Sequence, residues 1–461
     1  MRAAGQQNMS TRITDSPFYQ HLWGTAEARE VLGDEGRLRG WLEVIVALAR
    51  AQAAVGVIPA RAARLIEEHA QPGRLDLGYA AEQTRETSHS MLGLIRALQA
   101  VLPEEAREYV YAGATVQDIT DTWTALALRR IGAIAWRDLR RIEERLLELA
   151  VAHRSTVRAG RTHGQPGGPV TFGWKAASWA DEVRRHLDRL RQGAPRWLVG
   201  QLGGGVGSLV FYGQQGLTVR ARFCAELGLA DPGISWLSAR DRGAEVAQLM
   251  ALICGTLARI GGEVYELQRP EIGEIAEASP AGTVGSITMP HKRNPESSEH
   301  LDTLARLVRA NAAVMTEAVV QQHERDGRGW KAEWVALPEA CLLATAALQM
   351  TIGLLAGLTV DPAAMRDNLA RHGGYPVSER ALALLAPRMG ARRAQQRLQE
   401  AFGARAAGLT AEQALVQAGL LSQAEARELT ARPDTGSCQA MTDLVVERAR
   451  AARAAEPEQW P

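Results

Sequence analysis

Cysteine, aromatic side chains and net charge are all in short supply in this chain, and each shortage removes a class of protein. The four cysteines, Cys224, Cys254, Cys341 and Cys438, lie far apart in 461 residues, with no C-x-x-C pair and mostly within apolar helical patterns. Such spacing offers no disulfide framework, so they are expected to be reduced core thiols of a cytoplasmic protein. Lys plus Arg (53) nearly cancels Asp plus Glu (52), for a formal charge of +1. No bulk polyanion such as nucleic acid is expected as a partner, although a local basic pocket for a small anion stays open. The run from His323-Glu324 lacks the second histidine of H-E-x-x-H, and no other cluster has metal-ligand spacing, so no metal is expected. No apolar stretch follows the opening MRAAGQQNMSTRITD, which argues against a secretory signal and leaves Met9 as an alternative start. The most apolar segment, Leu342 to Leu358, is interrupted by Thr345, Gln349, Thr351 and Gly353. It is a little short to cross a bilayer and reads as a buried bundle helix, with no membrane partner.

Aromatics make up 5% of the residues and alternating β-branched runs are scarce, whereas alanine and leucine abound, so helix dominates. From Thr122 onward Leu128, Ile131, Ala135, Leu139, Ile142, Leu146 and Leu149 recur alternately three and four apart, the pattern of a long bundle seam. Similar stretches at 172–191, 244–268, 301–322 and 334–358 bring the long helices to five, which predicts an all-α, up-and-down bundle. Short helices with turn signals precede it, and beyond Asp361-Pro362 the texture changes again. The expected division is an N-terminal helical domain 1–112, a central bundle 113–362 and a small C-terminal helical domain 363–461.

The chemistry concentrates in a few polar segments. Ala281 to Gly285 is small and glycine-punctuated, a flexible loop, and Asn294-Pro295-Glu296 reads as a helix start with Asn294 as its cap. Between them lie Ser286 and Lys292, so a hydroxyl, a cation and an amide gather at a helix N-terminus suited to a carboxylate-bearing ligand. Ser88 and His89 fall in a second polar run, Glu82 to Leu92. A third, Tyr111 to Thr122, crowds Thr115, Gln117 and Asp118 at a helix start, where simple capping is the plainer reading. Gly160-Arg-Thr162-His163-Gly-Gln165-Pro166 forms a turn between helices. The glycine-rich run Gln201 to Ser208 lacks both phosphate-loop patterns and reads as a tight turn with close backbone contacts. Arg240-Asp-Arg242 reads most simply as a surface or interface ion pair.

Gly285-Ser-Ile-Thr-Met-Pro-His-Lys-Arg-Asn-Pro295 resembles the signature loop of the fumarase/aspartase superfamily, G-S-S-x-M-P-x-K-x-N-P, with Ile287 in place of the second serine. The Thr115 run resembles the G-A-T-S-Q-D segment of its adenylosuccinate lyase and carboxymuconate cycloisomerase branch, and Thr162-His163 resembles the T-H-x-Q region. His323 to Trp334 is similar to the Q-E-H-E-R...G-W-x-A-E-W stretch of the carboxymuconate branch, which brings in Arg325. The resemblance implies a three-domain helical fold packed as a homotetramer, with each active site shared between subunits and no cofactor. It implies that Ser286 is the catalytic base and that His163, paired with Glu299, orients substrate or protonates the leaving group. Ser88, His89, Thr115, Gln117, Thr162, Lys292, Asn294 and Arg325 would then bind a small dicarboxylate.

A fumarate-releasing β-elimination on a substituted succinate follows from that resemblance. Val116 and Tyr111, where the branch usually carries serine and histidine, count against a nucleotide substrate, and His163 counts against a lactonising isomerase. The pattern is similar to nitrosuccinate lyases, which release nitrite. Adenylosuccinate lyase, a carboxymuconate cycloisomerase-like enzyme and a non-catalytic helical oligomer are the alternatives.

Overall fold

The computed structural model describes residues 11–279, 282, 284–403 and 408–460. The start at Met1 or Met9, and Ala281 and Thr283 of the glycine-punctuated loop, lie outside the described residues.

The predicted seam is the spine of the molecule. A helix of 37 residues runs from Val116 to Ala152, about 55 Å at the usual rise, and Ile131, Ala135, Leu139, Ile142 and Leu146 along it are all fully buried. In chain order the elements that position the site are α1 (Asp34–Ala54), α2 (Leu77–Thr87), α3 (Val116–Ala152), the hairpin strands β1 (Val157–Thr162) and β2 (Gln165–Thr171), α4 (Phe172–Trp197), α5 (Asp241–Gln268), α6 (Glu296–Glu317) and α7 (Gly327–Ala356). Helices α3 to α7 pack on one another as the bundle, and α1 lies against α3. One apolar core runs from Ala28 to Leu358 and includes Val446 and Ala449 of the helix Cys438–Ala455, which returns to pack on α4. A second, smaller core gathers Tyr375, Leu385, Leu398, Leu415 and Leu429.

Helices α5 and α7 are each long and apolar enough to cross a membrane, but 61% and 67% of their apolar windows are buried within the bundle, as core helices require. Two small two-stranded sheets depart from a purely helical chain. The Gly160–Pro166 turn turns out to be the tip of the β1–β2 hairpin, where Thr162 pairs with Gln165. His163 and Gly164 both have positive φ, 52° and 75°, which is the backbone of a two-residue turn twisted to match its strands.

Candidate active site

Thr115 stops the preceding turn in extended geometry (φ −117°, ψ 163°) and opens α3 with a reciprocal capping box to Asp118. Arg325, just ahead of α7, reaches this helix start. Its Nε donates to Gln117 Oε1 at 2.8 Å and its Nη1 to Thr115 Oγ1 at 2.7 Å. Gln117 is fully buried and its amide nitrogen donates to the Leu237 carbonyl at 2.9 Å, so it holds Arg325 in place from behind. A guanidinium has five N–H groups, and at least two of Arg325's are left for a bound anion.

The glycine-rich run explains itself here. The Asp118 carboxylate, fully buried, accepts from Gly203 N, Gly204 N and Thr115 N at 2.9 Å each and from Gln201 Nε2 at 3.1 Å. These backbone N–H groups grip an internal carboxylate where a phosphate loop would grip a phosphate, in line with the tight-turn reading. Burial pushes the Asp118 carboxyl up to about 6, with the four donors pulling the other way. Arg240, expected in a surface or interface ion pair, is paired but buried. It is 4% exposed and bridges Asp121 (2.7 Å) and Glu333 (2.6 Å) inside the bundle. Burial opposes its charge, yet the two carboxylates outweigh that and hold its pKa above the ordinary value. Val116, at the first turn of α3, packs into the apolar core.

The signature loop is held closed at its neck. Asn294 Nδ2 donates to the Gly285 carbonyl at 2.9 Å, and a Cβ at Gly285 would lie 2.3 Å from the Lys292 carbonyl oxygen, so only glycine fits there. Asn294 therefore clamps the loop and does not cap α6, whose N-cap position is Pro295. The cap comes from Glu277, which accepts from Ser297 N (3.1 Å), Ser298 N (2.8 Å) and Ser298 Oγ (2.6 Å). The helix N-terminus that the sequence offers to a substrate carboxylate already holds one of the protein's own. Within the loop the half-buried Ser286 Oγ accepts the Met289 N–H at 3.0 Å, with exposed Lys292 three residues on. Ile287 is 94% exposed.

The remaining predicted residues stand apart from these contacts. Thr162 and His163 are exposed at the hairpin tip, and the hairpin is anchored by Arg158 and Arg161 on the buried Glu274, each at 3.1 Å. Glu299 is exposed on α6, and among the described residues no hydrogen bond or ion pair joins it to His163. Ser88 ends α2 in left-handed geometry (φ 52°), and His89 Nδ1 accepts from Met91 N (3.4 Å) and Leu92 N (3.1 Å) at the start of the next helix. Within the single chain the structure thus joins Thr115, Gln117 and Arg325, and separately Asn294 with the Ser286 loop. Sequence reasoning missed Glu277, Gln201 and Glu274, whose roles come from contacts far along the chain.

Comparison with known proteins decides the family. The family profile described as Lyase matches residues 9–310. The chain belongs to the fumarase/aspartase superfamily. This lyase is 41% identical to N-acetyl-S-(2-succino)cysteine lyase of Dickeya dadantii (strain 3937) over 374 residues, 81% of this chain and 82% of that one. It is 38% identical to nitrosuccinate lyase of Streptomyces davaonensis (strain DSM 101723 / JCM 4913 / KCC S-0913 / 768) over 399 residues, 84% of each chain. The crystal structure of fumarate lyase from Mesorhizobium sp. BNC1 superposes on the lyase with a TM-score of 0.85 at 34% identity, covering 92% of this chain and 98% of that one.

Proposed function

We propose that this lyase releases fumarate from a substituted succinate by β-elimination, with Ser286 as the base. The observation that carries the reading is the Met289 N–H already donated to Ser286 Oγ at 3.0 Å, in a loop clamped by Asn294 and bearing Lys292. A serine is a poor base unless its alkoxide is stabilised, and the fixed Met289 N–H, joined by the Lys292 ammonium when the loop closes over substrate, would supply that stabilisation. Ser286 takes the proton from Cβ, the electron pair forms the double bond, and the bond from Cα to the leaving group breaks with its pair. Fumarate and the leaving group are the products. The intermediate carries two negative charges on one carboxylate, which Lys292 and the free N–H groups of Arg325 would balance, with Thr162, Ser88 and His89 completing the grip.

The exposed hairpin tip and the exposed Glu299 suit a site completed by other copies of the chain. In that arrangement the Thr115 segment, the His163 segment and the Ser286 loop come from three subunits of a homotetramer, and Glu299 pairs with His163 across the assembly. His163 then orients substrate or protonates the leaving group.

For the leaving group, the loop and hairpin pattern and the 38% identical relative favour nitrite, from nitrosuccinate. Nitrite departs without a proton, so replacing His163 then costs less in kcat than replacing Ser286. A thiolate leaving from a succinyl thioether is the second reading, favoured by the 41% identical relative and by an apolar cavity beside Arg325. Offering nitrosuccinate, N-acetyl-S-(2-succino)cysteine, adenylosuccinate, argininosuccinate and aspartate, and following fumarate by absorbance, separates these readings. Fumarate from none of them would leave the elimination reading without support.

A further inference from the structure

A cavity of about 310 Å³ opens between α1, α2, α3 and α7, walled by Trp41, Trp123, Leu128, Trp330, Trp334 and Leu337. Its ionised groups are already committed. Asp121 and Glu333 both pair with Arg240, and the Trp330 indole donates to Asp121 Oδ1 at 3.2 Å. Arg37 at the edge lies 5.3 Å from the Trp123 ring centroid and 3.6 Å from Asp34. The threonine hydroxyls of the wall turn back on their own helices: Thr84 donates to the Ala80 carbonyl (2.9 Å), Thr120 to that of Val116 (3.1 Å) and Thr124 to that of Thr120 (2.9 Å). What faces the space is therefore flat, aromatic and effectively uncharged, a poor place for a phosphate and a good one for an apolar body.

The cavity adjoins the residues that hold Arg325. Trp330, in its wall, lies 5.6 Å by ring centroid from the Arg325 guanidinium that binds Thr115 and Gln117. Thr120 follows Thr115 by five residues on α3, about 7.5 Å along the axis. Ser90, also in the wall, is two residues from Ser88. A succinyl group gripped by Arg325 would thus lie next to the Trp330 wall of the cavity.

We infer that this cavity seats the leaving group, and that the preferred leaving group carries an uncharged aromatic or alkyl body no larger than roughly ten water molecules, at about 30 Å³ each. The inference rests on the elimination reading, favours its thioether form over nitrite, and makes Trp330, Trp334 and Thr124 specificity-determining residues.

The test compares S-ethyl and S-(2-phenylethyl) thioethers of succinate, whose thiols are similar in acidity, so that bond breaking is matched. In each the Cβ proton is removed, the Cα–S pair departs with sulfur as the thiolate, and fumarate forms. The phenylethyl compound is expected to have a kcat/KM at least about tenfold higher in the wild type. That preference should fall to near unity in Thr124→Phe, which fills the cavity, and should shrink in Trp334→Ala, which removes an aromatic wall at a position that is 41% exposed. Equal kcat/KM for the two compounds in the wild type, or a preference untouched by both substitutions, would overturn the inference. Binding of 2-phenylethanol, read by quenching of tryptophan fluorescence, is independent of turnover. If neither thioether yields fumarate while nitrosuccinate does, the thioether form fails and elimination stands; if nitrosuccinate fails as well, the elimination reading itself loses support, yet binding that weakens at least tenfold in Thr124→Phe still supports the cavity as an apolar site. Absence of binding to the wild type removes it.

Discussion

Replacing Glu277 with alanine strips α6 of the group that occupies its N-terminus. The carboxylate accepts two backbone N–H groups and one hydroxyl at 2.6 to 3.1 Å. Losing a capping side chain costs about 0.5–2 kcal/mol, and losing a negative charge at the helix dipole adds about 0.3–1 kcal/mol. These contributions overlap, so the expected loss is about 2 kcal/mol, or roughly thirtyfold in the opening constant of the first turn. Hydrogen exchange at the amides of Ser297 and Ser298 reads that opening directly, and urea unfolding reads its share of global stability. The vacated N-terminus is then free to take an external anion, so added sulfate should restore part of the protection in the variant and change little in the wild type. Because the signature loop runs straight into this turn, KM for the dicarboxylate should rise as well. Amide protection within a factor of about three of wild type would refute the capping argument.

Asp118 offers a prediction in pH. Its carboxyl is held near 6 against a reference of 3.8, so the folded state binds that proton more tightly than the unfolded one. Its contribution to stability is therefore greatest below the reference value and is lost as pH rises through about 6. Relative to Asp118→Asn, the wild type should gain up to about 3 kcal/mol between pH 7.5 and 4, and parallel urea midpoints across that range would contradict this. Burial raises the thiols of Cys224, Cys254 and Cys341 to about 12, so a thiol reagent at pH 8 should leave all three unmodified in the native protein and label them in urea. Mixing and reassembling Ser286→Ala with Arg325→Ala subunits should recover about a quarter of wild-type activity if each site draws these residues from different copies. Recovery of none, with both variants folded, would contradict a shared site.

The bundle was legible because it depends on periodicity. Leu128 through Leu149 recur at helical spacing, and the structure buries them together in one seam. The cap at Thr115 was equally legible, since both members of its box are three residues apart. Contacts between distant segments were not. Glu277 reaches Ser298 across twenty-one residues and Asp118 reaches Gly203 across eighty-five, and neither pairing leaves a local mark. Asn294 carried the composition of a cap, but the tight approach of Gly285 to the Lys292 backbone drew its amide into the loop neck instead. The hairpin around His163 escaped notice because glycine and proline replace the β-branched residues that usually announce strands. The tryptophan-walled cavity draws on four helices, so no single stretch of sequence points to it.

The most direct measurement of the central claim is fumarate release by Ser286→Ala on the succinyl substrate that the wild type turns over. Loss of the base and its positioned alkoxide should lower kcat by about 10³-fold while KM stays within a few-fold, because Lys292, Asn294 and Arg325 are untouched. A variant that keeps a tenth or more of wild-type kcat would contradict the assignment of Ser286 as the base.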